Sequence, residues 1–180
     1  KEGLPFMLKI GVGQFLFSSS WNPQAGQFGV FPMIVSSLYV TFGAMLIGAP
    51  LGVAGAIFMN EFLPRKVMRV IKPTIELLAG IPSVVFGFLG VMVLAPLIRE
   101  HMGGPGLSVL AASAILGIMV LPTVISISTD AIGAVPNSYR EGALALGATR
   151  WQSVHMVTLK AARSGIIASI ILAMGRALGE

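Results

Sequence analysis

Two oppositely charged side chains, Arg176 and Glu180, stand in a stretch that is otherwise apolar. They are four positions apart, so a helix would place both on one face. Arg163 marks the nearest polar boundary, which puts Arg176 about 20 Å further along that helix. A planar guanidinium there can donate two parallel hydrogen bonds to an oxyanion, while Glu180 holds it in place or competes with the anion. The alternative is a structural salt bridge between packed helices.

Ser83 is a further candidate for the same path. It follows Pro82, where irregular backbone could line a cavity, with core packing as the alternative. The 180 residues contain no cysteine, and the two histidines, His101 and His155, are far apart in sequence. The sequence therefore predicts no metal site, no cofactor and no catalytic residue.

A polar, basic segment begins at Ser138 and ends at Gln152, between two apolar stretches. Ser138 and Glu141 have the spacing of a capping box, as do Thr149 and Gln152. Gly147 tolerates the positive φ that ends a helix. We therefore predict two short helices that meet at a glycine on one face of a membrane, where a soluble partner can grip them. A membrane-surface linker and a DNA-binding helix-turn-helix are the alternatives, and the sparse basic residues disfavour the second.

The elements that position these residues are predicted to cross a membrane. Hydrophobic residues make up 55% of the chain and charged residues 11%, which is typical of an integral membrane protein. About 20 apolar residues span the hydrocarbon core. The predicted spans cover about 31–59, 77–98, 107–128 and 164–180. The predicted fold class is thus all-α, a polytopic transmembrane helical bundle with about four spans.

Residues 1–30 are too rich in turn residues to form a span, and we predict an extracytoplasmic or interfacial segment. Within it, the amphipathic stretch from Phe6 to Phe17 is predicted to lie at the membrane surface, with an ordinary loop as the alternative. Residues 31–180 form the predicted transmembrane domain. Since the chain stops within an apolar helical pattern, we expect an internal fragment of a larger polytopic protein.

The loop charges predict the topology. Four basic residues fall in the loop at 61–72 and four in the insert at 130–163, whereas the turn between them carries only Arg99. Two spans separate the basic loops, so both are predicted to be cytoplasmic. The first thirty residues and the Arg99 turn are then outside.

Several of these motifs resemble those of a known family. The run Glu141-Gly142-Ala143, followed by Gly147, Leu159 and Gly165-Ile166, resembles the "EAA" loop of bacterial ABC-importer permeases. Residues 75–87 (Ile-Glu-Leu-Leu-Ala-Gly-Ile-Pro-Ser-Val-Val-Phe-Gly) and 175–180 (Gly-Arg-Ala-Leu-Gly-Glu) look like phosphate-specific ABC permeases. Residues 21–29 are similar to the C-type subunit of that family. The resemblance covers nearly the whole chain.

This resemblance implies a type I ABC importer permease fold in the bacterial inner membrane, and a subunit that carries inorganic phosphate without hydrolysing ATP. It implies four partners: a homologous second permease subunit, cytoplasmic ATP-binding subunits, an extracytoplasmic phosphate-binding protein and membrane lipid, with no nucleic acid. The loop at about 137–162 would dock the ATPase. The residues expected to do so are Arg140, Glu141, Gly142, Ala143, Gly147 and Arg150.

The sequence fits two other functions less well than phosphate import. A permease for another oxyanion, such as sulfate or molybdate, would share the fold and differ in its pore contacts. An intramembrane protease of the aspartyl type needs two aspartates, and Asp130 is the only one in the chain. A zinc or serine enzyme would need ligands or a base that the sequence does not cluster.

Overall fold

The computed structural model of this protein describes residues 11–22, 24, 27–104 and 106–180. It divides into two compact units, Lys1–Val40 and Thr41–Glu180. The boundary between the units falls inside the first long helix, which runs from Phe31 to Glu61.

The first unit contains a short helix and a small sheet that the sequence did not predict. Helix α1 (Val12–Phe17) is followed by two antiparallel strands, β1 (Trp21–Asn22) and β2 (Gln27–Phe28). The rings of Trp21 and Phe28 face each other across the strands, edge to face, with centroids 5.8 Å apart. Residues 6–10 of the predicted amphipathic stretch, and residues 23, 25 and 26 of the motif at 21–29, lie outside the described residues.

The helices of the rest of the chain follow one another with short connections. In chain order they are α2 (Phe31–Glu61), α3 (Arg65–Ala79), α4 (Ser83–Leu89), α5 (Ala95–Met102), α6 (Val109–Gly133), α7 (Asn137–Ala145), α8 (Arg150–Ser153) and α9 (Leu159–Gly179). One turn of π-helix, Gly90–Leu94, joins α4 to α5, and another, Val154–Thr158, joins α8 to α9.

In the part of the chain that the structure describes, four helices are long and apolar enough to cross a membrane: Phe31–Glu61, Ser83–His101, Val109–Gly133 and Arg150–Gly179. The prediction of an all-α bundle with four spans is therefore confirmed. The fourth helix differs from expectation at its start. It is continuous from Arg150 through the π-turn, so the second short helix of the insert belongs to the same helix as the last span.

The second span also begins later than predicted, because the backbone breaks between α3 and α4. Pro82 has φ −57° and ψ 137°, an extended conformation, and a residue that precedes proline is driven away from the helical region. Residues predicted to start the span, such as Leu77, belong instead to α3. This helix is amphipathic and basic, and it begins directly after Pro64.

Helix α6 forms the centre of the second unit. In the most apolar 18-residue stretch of α6, 33% is buried, whereas the corresponding share in the span Ser83–His101 is 6%. Val120 and Val124 of α6 pack against Ala173 and Ala177 of α9 in one buried cluster. A second cluster joins Ile132 of α6 to both α2 and α9. Small side chains let these helices approach closely, as in other membrane bundles.

Candidate functional site

Arg176 joins three helices at one point. Its Nη1 donates a hydrogen bond to the backbone carbonyl of Ala79 (3.1 Å) and another to Oγ1 of Thr123 (3.3 Å). Ala79 is the last residue of α3, where helix carbonyls lack partners within the helix. A cation is favourable at this end of a helix. The guanidinium of Arg176 on α9 therefore caps the C-terminal end of α3 and links that end to α6.

A second contact between α3 and α6 shows how far along these helices the Arg176 contacts lie. Lys72 Nζ contacts Oδ1 of Asp130, and it lies 4.0 Å from Oε1 of Glu76. Lys72 and Ala79 are seven positions apart on α3, as Asp130 and Thr123 are on α6. Arg176 therefore lies about 10 Å further along the helices than the Lys72 contact.

The end of α6 gives the depth a second way. Thr123 is ten positions before Gly133, the last residue of α6. Ten helical residues span about 15 Å, which is half the thickness of a hydrocarbon core of about 30 Å. The Arg176 contacts thus lie near the middle of the apolar part of the bundle.

The other two predicted path residues are Glu180 and Ser83. Glu180 follows the last residue of α9, is exposed, and forms no ion pair with Arg176. A role for Glu180 in holding the guanidinium is therefore not seen in this structure, and its competition with the anion stays a prediction. Ser83 is the first residue of α4 and half-buried, on the far side of the break from Ala79.

The junction of the two helices of the insert has the predicted geometry. Gly147 has φ +82°, and its N–H bonds the carbonyl of Leu144 (2.9 Å) while that of Ala148 bonds the carbonyl of Ala143 (3.1 Å). These two bonds form a Schellman motif, which ends α7. At the start of α8, Thr149 and Gln152 form both bonds of the predicted capping box.

The first predicted capping box is wrong. Helix α7 starts at Asn137 directly after Pro136, and no side chain caps it. Ser138 is therefore the second helical residue and Glu141 the fifth, too far into the helix to reach the free N–H groups of its first turn. The proline fixes the start of the helix instead, in an extended conformation with ψ 139°.

Arg140 faces the interior of the protein, although it was expected to be free for polar contacts. Its Nη2 lies 2.7 Å from Oε1 of Glu61, and the two side chains are 23% and 14% exposed. This contact is an ion pair without hydrogen-bond geometry. The guanidinium also donates to Oδ1 of Asn137 and to the carbonyl of Ile132. Arg140 thus links α7 to the ends of α2 and α6, and no pattern in the sequence identifies Glu61 as its partner.

The other residues predicted to dock a partner lie on the surface of the insert. Glu141, Gly142, Gly147 and Arg150 are exposed, and Ala143 is half-buried. Exposed apolar side chains stand beside them. Leu146 is 91% exposed and Trp151 is 59% exposed. Trp151 lines a groove of about 410 Å³ together with Glu61, Phe62, Arg140, Leu144 and Arg150. An apolar patch with a polar rim is typical of a protein-binding surface.

The match to a known family decides which kind of membrane protein this is. Residues 48–180 match the family described as binding-protein-dependent transport system inner membrane component. The chain belongs to this family. The matched region includes α3 to α9 and with them both the Arg176 contacts and the insert. The predicted ABC-importer permease fold and the location in the bacterial inner membrane, as a multi-pass protein, are confirmed.

Individual relatives agree with the family. Probable ABC transporter permease protein YqgH of Bacillus subtilis is 48% identical over 184 residues, with 99% of this chain and 60% of that protein covered. Phosphate transport system permease protein PstC of Mesorhizobium japonicum is 38% identical, with coverages of 92% and 57%. PstC of Haemophilus influenzae is 35% identical, with coverages of 93% and 60%. The chain spans about three fifths of the length of these relatives, and the resemblance to phosphate permeases is confirmed.

Proposed function

We propose that this chain is part of the transmembrane permease of an ATP-driven inorganic phosphate importer. The observation that carries the proposal is Arg176, a guanidinium held near the middle of the apolar bundle. A charge at that depth costs about 3 kcal/mol or more, and it is normally retained where it faces a cavity, a partner or a substrate. Phosphate is the substrate in the names of the PstC relatives. Nothing in the structure favours sulfate or molybdate.

The phosphate path would include Arg176, which bonds the last residue of α3, and Ser83, which begins α4 after the break. Irregular backbone is tolerated at such depth only where it is buried in protein or lines a cavity. Glu180 would join this path and face a second, homologous permease subunit across it. An extracytoplasmic phosphate-binding protein would deliver the anion, on the side of residues 1–30.

The docking loop at about 137–162, within the insert, would couple the bundle to ATP hydrolysis by cytoplasmic partner subunits. This chain has no Gly-x-x-x-x-Gly-Lys-[Ser/Thr] nucleotide loop, so we assign it no hydrolysis of its own. Arg140 supports this role because it links α7 to α2 and α6, so that a push on the insert reaches two spans directly. Glu141, Gly142, Ala143, Gly147 and Arg150 are the proposed contact residues.

The path is tested with Arg176→Gln in the assembled transporter, reconstituted in vesicles. We expect phosphate uptake to fall at least tenfold while the complex copurifies normally. Glutamine lacks both the positive charge and the parallel N–H groups of the guanidinium. Arg163→Gln is the matched control, since Arg163 is exposed on the same helix. Normal uptake by the Arg176 variant would contradict the proposed path. The choice of anion is tested with radiolabelled sulfate and molybdate in the same vesicles. The binding proteins for those two anions are left out.

The coupling role is tested with Gly147→Leu. A leucine is strained at φ +82° and should disturb the angle between α7 and α8. We expect the variant to insert into the membrane and to lose uptake that is coupled to ATP hydrolysis. Gly104→Leu is the control, because Gly104 has φ +81° and open space around it but lies in the turn on the opposite side. Equal uptake by the two variants would contradict docking at this insert.

A further inference from the structure

The contacts of Arg176 assign a role to a residue that the motifs did not single out. We propose that Thr123 is a positioning residue: its hydroxyl, with the carbonyl of Ala79, aims the free edge of the Arg176 guanidinium at the transported oxyanion. This inference rests on the proposed function of the chain as a phosphate permease. It concerns how the guanidinium is oriented, which the presence of an arginine alone does not determine.

The argument begins with the donors of the guanidinium. Nη1 carries two hydrogens, and it makes two hydrogen bonds, to Ala79 and to Thr123. Nε and Nη2 make none with any residue that the structure describes. These two nitrogens form the side edge of the guanidinium, whose parallel N–H groups match two oxygens of a tetrahedral anion. The protein thus uses both hydrogens of Nη1 and leaves the N–H groups of Nε and Nη2 available to a ligand.

The hydroxyl of Thr123 is free to serve this purpose. A threonine within a helix commonly donates to a carbonyl of its own preceding turn, as Thr74 does to Val70 at 2.9 Å. Thr123 makes no such bond in the described structure, and its Oγ1 accepts from Arg176 instead. Its branched Cβ restricts χ1, which keeps the hydroxyl in place.

Ala79 supplies the second anchor, and it determines which way the guanidinium faces. Its carbonyl belongs to α3, while Thr123 belongs to α6, so two separate helices hold one nitrogen. Loss of the threonine hydroxyl would leave a single anchor, about which the guanidinium plane can turn. The free edge would then be aimed at the anion for only part of the time.

The test compares two substitutions that separate the hydroxyl from the shape of the side chain. Thr123→Val keeps the branched shape and removes the acceptor, whereas Thr123→Ser keeps the acceptor and removes a methyl group. In the reconstituted transporter we expect the valine variant to lose about three- to tenfold in maximal phosphate uptake rate, as for loss of one ordinary hydrogen bond. The serine variant should keep at least half of the rate. The opposite order, with serine impaired and valine normal, would show a packing role and overturn the proposal.

Thr129→Val provides the matched control. Thr129 lies on the same helix, is buried, and its hydroxyl makes no hydrogen bond to a described residue. The same substitution there should leave both uptake and the yield of assembled complex unchanged. If Thr129→Val lowers uptake as much as Thr123→Val does, the effect is a general one of valine in α6 and the proposal fails.

A double variant separates this inference from the function on which it rests. In an Arg176→Gln background, Thr123→Val should lower uptake no further, because there is no guanidinium left to orient. An additional independent loss would overturn the positioning role. If Arg176→Gln abolishes uptake while Thr123→Val has no effect, the inference fails and the proposed function stands. If Arg176→Gln leaves uptake intact, the proposed function fails first.

Discussion

At the scale of single residues, a pair of serines shows how polar groups are buried between the helices. Ser128 of α6 and Ser169 of α9 are both fully buried, with their Oγ atoms 2.8 Å apart. Ser169 also donates to the carbonyl of Ile166 at 2.7 Å. Since a hydroxyl has one hydrogen, Ser128 must donate to Ser169. The two serines therefore form a directed chain that ends on the backbone.

This direction predicts an asymmetry between two alanine substitutions. Ser169→Ala leaves the buried hydroxyl of Ser128 without an acceptor, and should cost about 1–3 kcal/mol of stability. Ser128→Ala leaves Ser169 bonded to Ile166, and should cost about 0.5–1.5 kcal/mol. Thermal unfolding of the two variants in the same detergent checks the order. Equal melting temperatures, or a lower one for Ser128→Ala, would contradict the assigned direction.

At the scale of elements, glycines set the distance between α2 and α6. A Cβ on Gly52 would come within 2.6 Å of Cγ1 of Val124, and one on Gly48 within 2.8 Å of Cγ2 of Val120. Real Cβ atoms are not found this close to another side chain, so the helices pack against each other with glycine on one side and valine on the other. Such a contact is typical of membrane helices, where small residues permit close approach.

We expect Gly52→Ala to destabilise the bundle by about 1–3 kcal/mol, because α2 and α6 must move apart to admit the methyl group. Gly87→Ala is the matched control, since a Cβ on Gly87 meets nothing within 4 Å. In a helix the control should be neutral or stabilising, by up to about 1 kcal/mol. Unfolding of both variants in detergent measures the difference. A Gly52 variant as stable as the Gly87 variant would show that the helix contact is not tight.

Local patterns in the sequence were sufficient for most of the helices but not for what connects them. Apolar length predicted the spans, and the glycine and capping residues of the insert predicted its turn. The Arg176 contact with Ala79 joins residues 97 positions apart, and spacing along one helix gives no information on such a pair. The same holds for Arg140 and Glu61. The start of the second span was placed too early, because the apolar residues on the two sides of Pro82 look like one continuous run.

At the scale of the whole molecule, the loop charges predict which side of the membrane each connection occupies. Helix α3 carries four basic residues and the insert carries four more, and two spans separate them. If both are cytoplasmic, the turn between α5 and α6 must be outside. This sidedness underlies the docking proposal, because ATP-hydrolysing subunits reach only the cytoplasmic face.

Cysteine labelling tests this topology directly, since the 180 residues contain no cysteine. Leu146→Cys and Leu107→Cys are matched positions on opposite sides, with parent side chains 91% and 64% exposed. A membrane-impermeant maleimide added to intact spheroplasts should label the position-107 variant and not the position-146 variant. Permeabilised cells should show labelling of both. Labelling of the position-146 variant from outside would reverse the orientation and remove the proposed contact with an ATPase.

The two contacts of α3 with its neighbours differ in how they respond to ions. The Lys72–Asp130 contact is partly open to the aqueous phase, with 31% and 62% of the side chains exposed, and dissolved salt screens such a pair. The Arg176–Ala79 bond lies about 10 Å deeper, where salt has little access. Raised ionic strength should therefore weaken the contact in the middle of α3 and leave the bond at its C-terminal residue in place. The first half of α3 would then separate from α6 more readily than the second half.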